Sequence, residues 1–197
     1  MLRLERKGLP FQTGQFIVLK DPKSGEKREY SVYSGEKEDF LEVLVREVKG
    51  GKVSGRLKKL QPGSGVEVEG PFGFFRFHPD MFPSGKFLFV ATGTGISPFH
   101  SFTRTFPELD YQLVHGVRYV GEAYDHADFD QNRTTLCCSC ETPGIFHGRV
   151  THYLDNQEID PDTHCFLCGN SRMIGDVFDI LTKKGISVSR IYSEVYF

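Results

Sequence analysis

Hydrophobic and polar positions follow two different rhythms along this chain. From residue 1 to about residue 79 the apolar residues come in short alternating segments separated by turn residues. Residues 3–6 alternate, 15–19 (QFIVL) read as a strand, 28–33 (REYSVY) are strand-like, 40–48 (FLEVLVREV) read as an alternating strand, and 66–69 (VEVE) add a short strand. Turns or loops are read at 22–25, 61–65 and 70–73, and residues 54–60 (SGRLKKL) as one helix with Ser54 at its N-cap. Short strands at this spacing, punctuated by Gly and Pro, predict a small antiparallel barrel or sandwich.

Residues 79–85 lack periodicity and read as a linker, so the chain divides near Pro83 into domains 1–83 and 84–197. Beyond it strands alternate with helices. Residues 87–91, 111–117, 134–140, 164–168 and 188–195 read as strands, and 98–106, 121–129, 150–154 and 171–184 as helical. The last helix puts Met173, Val177, Ile180 and Leu181 on one face. Such alternation predicts a doubly wound parallel sheet covered by helices, with ligands at the carboxyl ends of its strands.

The stretch 86–102, KFLFVATGTGISPFHSF, organises the second half. A run apolar on both faces is followed by Thr92-Gly93-Thr94-Gly95, where bare backbone can meet a ligand, and then by Ser97 as N-cap and Pro98 as first helical residue. Backbone N–H groups converging at a helix start make an anion site, and a pyrophosphate is its common occupant. The glycines alone leave a tight, ligand-free turn equally open.

Composition changes this picture little. The 197 residues are 39% hydrophobic and 25% charged, as in an ordinary globular protein, with net charge −2 and hence no overall pull toward nucleic acid or membranes. The first 83 residues carry 15 Lys+Arg against 12 Asp+Glu and the remainder 9 against 14, so the halves differ in sign. With neither a membrane-length apolar run nor a signal-peptide core, the expectation is a cytoplasmic chain with reduced cysteines. The five cysteines fall as Cys137, Cys138, Cys140 and Cys165, Cys168, a spacing that fits neither a zinc pair nor an iron–sulfur run, so no metal site is expected.

Four short motifs stand in one order: Arg28-Glu29-Tyr30-Ser31, Gly51-Lys52-Val53-Ser54, Gly93-Thr94-Gly95-Ile96-Ser97-Pro98, and Cys168-Gly169-Asn170 with the ending Glu194-Val195-Tyr196-Phe197. In these the chain resembles the ferredoxin–NADP(+) reductase family over nearly its whole length. The resemblance implies an FAD-binding β-barrel followed by an NADP(H)-binding α/β domain. It implies that Arg28 contacts flavin phosphate, that Tyr30 packs on the isoalloxazine ring with Val32 beside it, and that Ser31 bonds near flavin N5. A cation suits phosphate and an aromatic face suits a flat ring. Gly51, Lys52, Val53 and Ser54 would hold the flavin pyrophosphate at a helix start. Thr92, Gly93, Thr94, Gly95 and Pro98 would take that of the nicotinamide dinucleotide, Gly169 would stand with Cys168 beside the nicotinamide, and Met173 would be a further cofactor-binding residue. Arg118, in His115-Gly116-Val117-Arg118, and Arg149 would choose NADP(H) through the adenosine 2′-phosphate. Cys168 would position the nicotinamide, Glu194 would assist proton movement, and Tyr196 or Phe197 would shield the flavin.

The implied activity passes hydride between NADP(H) and FAD and single electrons to a ferredoxin or flavodoxin. Three other readings stay open: a non-autonomous electron-transfer subunit, an oxygenase reductase component, and a flavin-free nucleotide-binding module. Family members usually have a further strand before residues 2–8, so the barrel is expected to lack its first strand or to be closed by another chain, in a homodimer or larger complex. The basic residues Lys49, Lys52, Arg56, Lys58 and Lys59 would either steer an acidic ferredoxin or form a solvated helix face.

Overall fold

The computed structural model describes residues 1–21, 24–48, 50–77, 81, 85–141 and 146–196. Pro22 and Lys23 of the expected turn, most of the expected linker including Pro83, Lys49 and Phe197 lie outside the described residues. The chain forms two compact units, one of Met1–Arg76 with Ser97–Pro107 and one of Phe77–Ile96 with Glu108–Phe197.

The first unit is antiparallel. Strand β1 (Leu2–Glu5) pairs with β4 (Phe40–Val43), while β2 (Phe16–Lys20) lies between β3 (Lys27–Ser31) and β5 (Glu67–Phe72). A bridge from Val32 to Val43 joins the two sheets. Alternation turns Ile17, Leu19, Val32, Leu41 and Val43 into a common core, which helix α1 (Lys52–Leu57) covers with Val53 and Leu57. Helix α2 (Ser97–Thr105) also belongs to this unit, packing Phe99 and Phe102 against Phe75 with ring centroids 6.1 Å away in each case. Its polar residues Ser97, His100, Ser101 and Thr105 are buried too. The His100 ring stacks on Tyr33 at 3.8 Å, and Ser101 donates to the Ser34 carbonyl at 2.7 Å.

Three expectations change here. Strand β4 ends at Val43 rather than Val48, because its ladder with β1 ends at the Leu2–Val43 pair. Ser54 is not a cap: Gly51 holds that position, and the Ser54 hydroxyl, inside α1, accepts the Val48 N–H at 3.1 Å. Gly70-Pro71-Phe72 continues β5 instead of turning, with Phe72 opposite Phe16 across an irregular register.

The second unit is an all-parallel sheet. Its strands are β6 (Lys86–Thr92), β7 (Asp110–Val117), β8 (Thr134–Cys138), β9 (Phe146–His147), β10 (His164–Asn170) and β11 (Ile191–Tyr196), in the order β11-β10-β6-β7-β8-β9. Chain order reverses between β6 and β10, the kind of switch point where α/β sheets bind ligands. In β6 the two faces differ. Leu88 and Val90 join an aliphatic core with helices α3 (Val150–Asp155) and α4 (Ser171–Lys183), whereas Phe87 and Phe89 join an aromatic layer with Phe77, Phe166 and Tyr192. Ring centroids in that layer are 4.6 Å apart for Phe166–Tyr192 and 4.9 Å for Phe77–Phe87.

The helix expected over 121–129 is two short 3-10 turns, Val120–Glu122 and His126–Asp128, preceded and separated by irregular backbone that includes Asp125 at φ +46. On α4 the fully covered residues are Met173, Ile174, Val177 and Leu181, with Ile180 only partly buried.

Candidate functional site

At the switch point, the glycine stretch is built by interlocking backbones. Residues Gly93–Ile96 coil as a 3-10 turn that runs straight into α2, so Ser97 is a helical residue and not a cap. A Cβ on Gly95 would stand 2.3 Å from the Cys168 carbonyl oxygen, and one on Gly169 (φ +133) would stand 2.4 Å from Thr92 Oγ1. The ends of β6 and β10 therefore touch where side chains are missing. Gly93 is the opposite case: at φ +54, a Cβ there would meet nothing within 4 Å, so its surface is open. The Gly93 carbonyl accepts from His115 Nε2 at 3.0 Å, and Thr92 Oγ1 accepts the Asn170 N–H at 3.1 Å. Asn170 caps α4, its side chain accepting from Arg172 N and Met173 N. Met173 is buried against the core and Pro98 is buried in α2.

Cys168 pairs with Glu194 across β10 and β11, its Sγ 4.0 Å from Glu194 Oε2. Burial, then the neighbouring Glu194 charge, raises the Cys168 thiol well above its ordinary range, so it is a neutral thiol and no thiolate nucleophile. Tyr196 ends β11 opposite Asn170.

Arg118 and Arg149 emerge on either side of Cys138. The Cys138 thiol donates to the Arg118 carbonyl at 3.1 Å, and its own carbonyl accepts the Gly148 N–H at 2.8 Å. Both arginines are exposed at the carboxyl edge of the sheet. Two carboxylates share this edge: Glu122 accepts the Arg118 N–H at 3.0 Å and Glu141 accepts the Val120 N–H at 2.8 Å.

In the first unit, the register places Arg28, Tyr30 and Val32 on one face of β3 and buried Ser31 on the other. Val32 is in the core, Tyr30 half-buried at its rim and Arg28 exposed. Desolvation raises the Tyr30 hydroxyl, and the Arg28 charge acts against that rise. Helix α1 starts at Lys52 after Gly51 at its N-cap, with no side-chain cap and no acid in its first turn, which suits an anion. A cation, an aromatic ring and an uncapped helix start on one small unit fit a flavin nucleotide. The basic residues around α1 are largely engaged internally: Lys52 pairs with Glu26 at 2.7 Å, Arg56 with Asp21 at 3.1 Å and Lys58 with Glu47 at 2.6 Å.

Sequence reasoning gave no role to His115, Asn170, Glu122 or Glu141. Only Asn170 carried a local signal, as a residue favoured at N-caps just before an apolar-periodic helix.

Comparison with known proteins agrees with both halves. Residues 1–77 match the family model "Oxidoreductase FAD-binding domain" and residues 89–179 match "Oxidoreductase NAD-binding domain". A ferredoxin–NADP reductase of Pseudomonas aeruginosa is 34% identical over 92% of this chain and 82% of its own length. The chain spans 59% of the toluate 1,2-dioxygenase electron transfer component of Pseudomonas putida, at 26% identity over 95% of this chain. A solved ferredoxin–NADP(+) reductase from Neisseria gonorrhoeae, with bound FAD and NADP, is 26% identical over 95% of this chain and 88% of its own, at a TM-score of 0.80. Two matched cofactor domains on this fold, together with a relative of such identity and coverage, show that the chain belongs to the ferredoxin–NADP(+) reductase family of flavoprotein oxidoreductases.

Proposed function

We propose that this chain binds FAD in its first unit and NADP(H) in its second, and passes electrons from NADPH to a ferredoxin or flavodoxin. The observation that carries the reading is the glycine turn at the switch point, open at Gly93 and locked at Gly95, with two exposed arginines at the same carboxyl edge. FAD, when bound, supplies the exchange between a hydride pair and single electrons. The protein's part is placement. Arg28 holds flavin phosphate, Tyr30 lies against the ring, Ser31 donates beside it, and the Gly51–Ser54 segment receives the flavin pyrophosphate. Backbone at Thr92, Gly93, Thr94 and Gly95 cradles the dinucleotide, while Glu194 and the neutral Cys168 thiol border the nicotinamide. Arg118 and Arg149 contact the 2′-phosphate.

A second reading, NADH-linked reduction as an oxygenase reductase component, is favoured by Glu122 and Glu141 beside Arg118, since a carboxylate there suits a ribose 2′-hydroxyl. Reconstitution with FAD followed by anaerobic reduction with each nucleotide separates the two. Preference for NADPH that falls in Arg118→Ala, with NADH unaffected, supports the first; preference for NADH supports the second. A chain that takes up no flavin refutes both.

A further inference from the structure

His115 has no role in the assignment above, yet its placement is unusual. It is fully buried in β7, opposite Ala91 of β6 on one side and Leu136 of β8 on the other. Nε2 is 3.0 Å from the Gly93 carbonyl oxygen, and Nδ1 is buried with no hydrogen-bond partner among the described residues. A carbonyl can only accept, so Nε2 carries the proton and Nδ1 is bare. A buried polar atom without a partner is an exception in a folded protein and calls for a reason.

The reason lies in the residue it holds. Gly93 is at φ +54 with open space around it, and glycine has no Cβ to restrict rotation of the peptide that follows. In a planar trans peptide the carbonyl of one residue and the N–H of the next point in opposite directions. Holding the Gly93 oxygen toward β7 therefore turns the Thr94 N–H away from β7. One side chain, 22 positions further along the chain, thus sets the first peptide plane of the glycine turn.

We infer that His115 is a positioning residue for dinucleotide binding, fixing through the Gly93 carbonyl the backbone that receives the pyrophosphate and touching no ligand itself. The inference rests on the dinucleotide reading of that turn. The imidazole suits the task because it stays a neutral single donor: burial lowers its pKa to about 4 and outweighs the Gly93 hydrogen bond, which acts to raise it, while nearby His126 lowers it further.

The test uses FAD-reconstituted protein titrated calorimetrically with NADP+ and with 2′-AMP, which has no pyrophosphate. His115→Leu is expected to weaken NADP+ about tenfold, the effect of one hydrogen bond, and to leave 2′-AMP within about twofold. His115→Gln, whose amide can donate where Nε2 does, is expected to recover most of the loss. Equal weakening of both ligands, or none for NADP+, overturns the inference while leaving the functional reading intact. A wild-type chain that binds neither NADP+ nor NAD+ overturns that reading and the inference with it. Should the leucine variant not fold, imidazole ¹⁵N resonances of the wild type decide. A protonated Nε2 that responds to NADP+ and not to 2′-AMP supports the inference; a protonated Nδ1, or no response to NADP+, overturns it.

Discussion

Replacing Gly95 with alanine tests the interlock between β6 and β10 directly. The new methyl would stand 2.3 Å from the Cys168 oxygen, 2.6 Å from its carbonyl carbon and 2.9 Å from the Gly169 Cα, all backbone atoms that cannot rotate aside. Ordinary contact begins at 3.4 Å, so the strand ends must separate by about 1 Å. Overpacking a well-filled interior costs about 1–3 kcal/mol, and with main chain on both sides the upper part of that range applies. At roughly 4–8 °C per kcal/mol for a unit of this size, the second unit should melt roughly 10–20 °C lower. Gly93→Ala is the control. Its methyl meets nothing within 4 Å and it strains only the left-handed backbone at φ +54, at about 1–2 kcal/mol. That methyl, however, projects into the open face of the turn, so NADP+ affinity should fall further than stability does. Since the chain has no tryptophan, calorimetry or far-UV circular dichroism follows the melting. A Gly95→Ala protein as stable as wild type, or one more stable than Gly93→Ala, refutes the packing argument.

Acid should destabilise the second unit through His115. Its folded pKa of about 4 lies below the free value of 6.5, so the unfolded chain takes up the proton first; stability is full above pH 6.5 and falls by about 2–3 kcal/mol toward pH 4.5. His126, also lowered by burial, adds in the same sense, and urea melts of wild type against His115→Gln should differ by that amount at pH 4.5 and not through His115 titration at pH 7. Thiol reagents at pH 8 should modify Cys140 alone in the native protein, since Cys140 is exposed while Cys137 and Cys165 are buried with thiols pushed up to about 12, and all five in denaturant; a second fast native thiol contradicts the burial assigned to the others. Arg28→Ala should loosen flavin about tenfold, read by ultrafiltration of the free cofactor, and leave 2′-AMP binding unchanged; unchanged flavin retention removes Arg28 from the phosphate.

How far the chain could be read beforehand depended on whether each element's determinants were local. β6 is legible because five successive residues, FLFVA at 87–91, are apolar on both faces, as a buried parallel strand requires. The glycines at 93, 95 and 169 and the Arg28–Ser31 strand stood out for the same reason, since side-chain absence and alternation are visible in the residues themselves. Lengths and partners were not. Residues 44–48 keep apolar side chains at Leu44, Val45 and Val48, but a strand lasts only as long as its ladder, and that ladder stops at Val43. Gly70 and Pro71 have turn composition, yet pairing of Phe72 with Phe16 draws them into β5. Helix α2 carries His100, Ser101 and Thr105 at buried positions, and what satisfies the first two is the backbone of Tyr33 and Ser34, 67 positions earlier. His115 is the same case at the site itself. Its strand is legible in the largely apolar run 111–117, while its hydrogen bond to Gly93 arises from the register of β6 against β7. Local pattern therefore locates the glycine turn, and only the assembled sheet reveals the side chain that holds its first carbonyl.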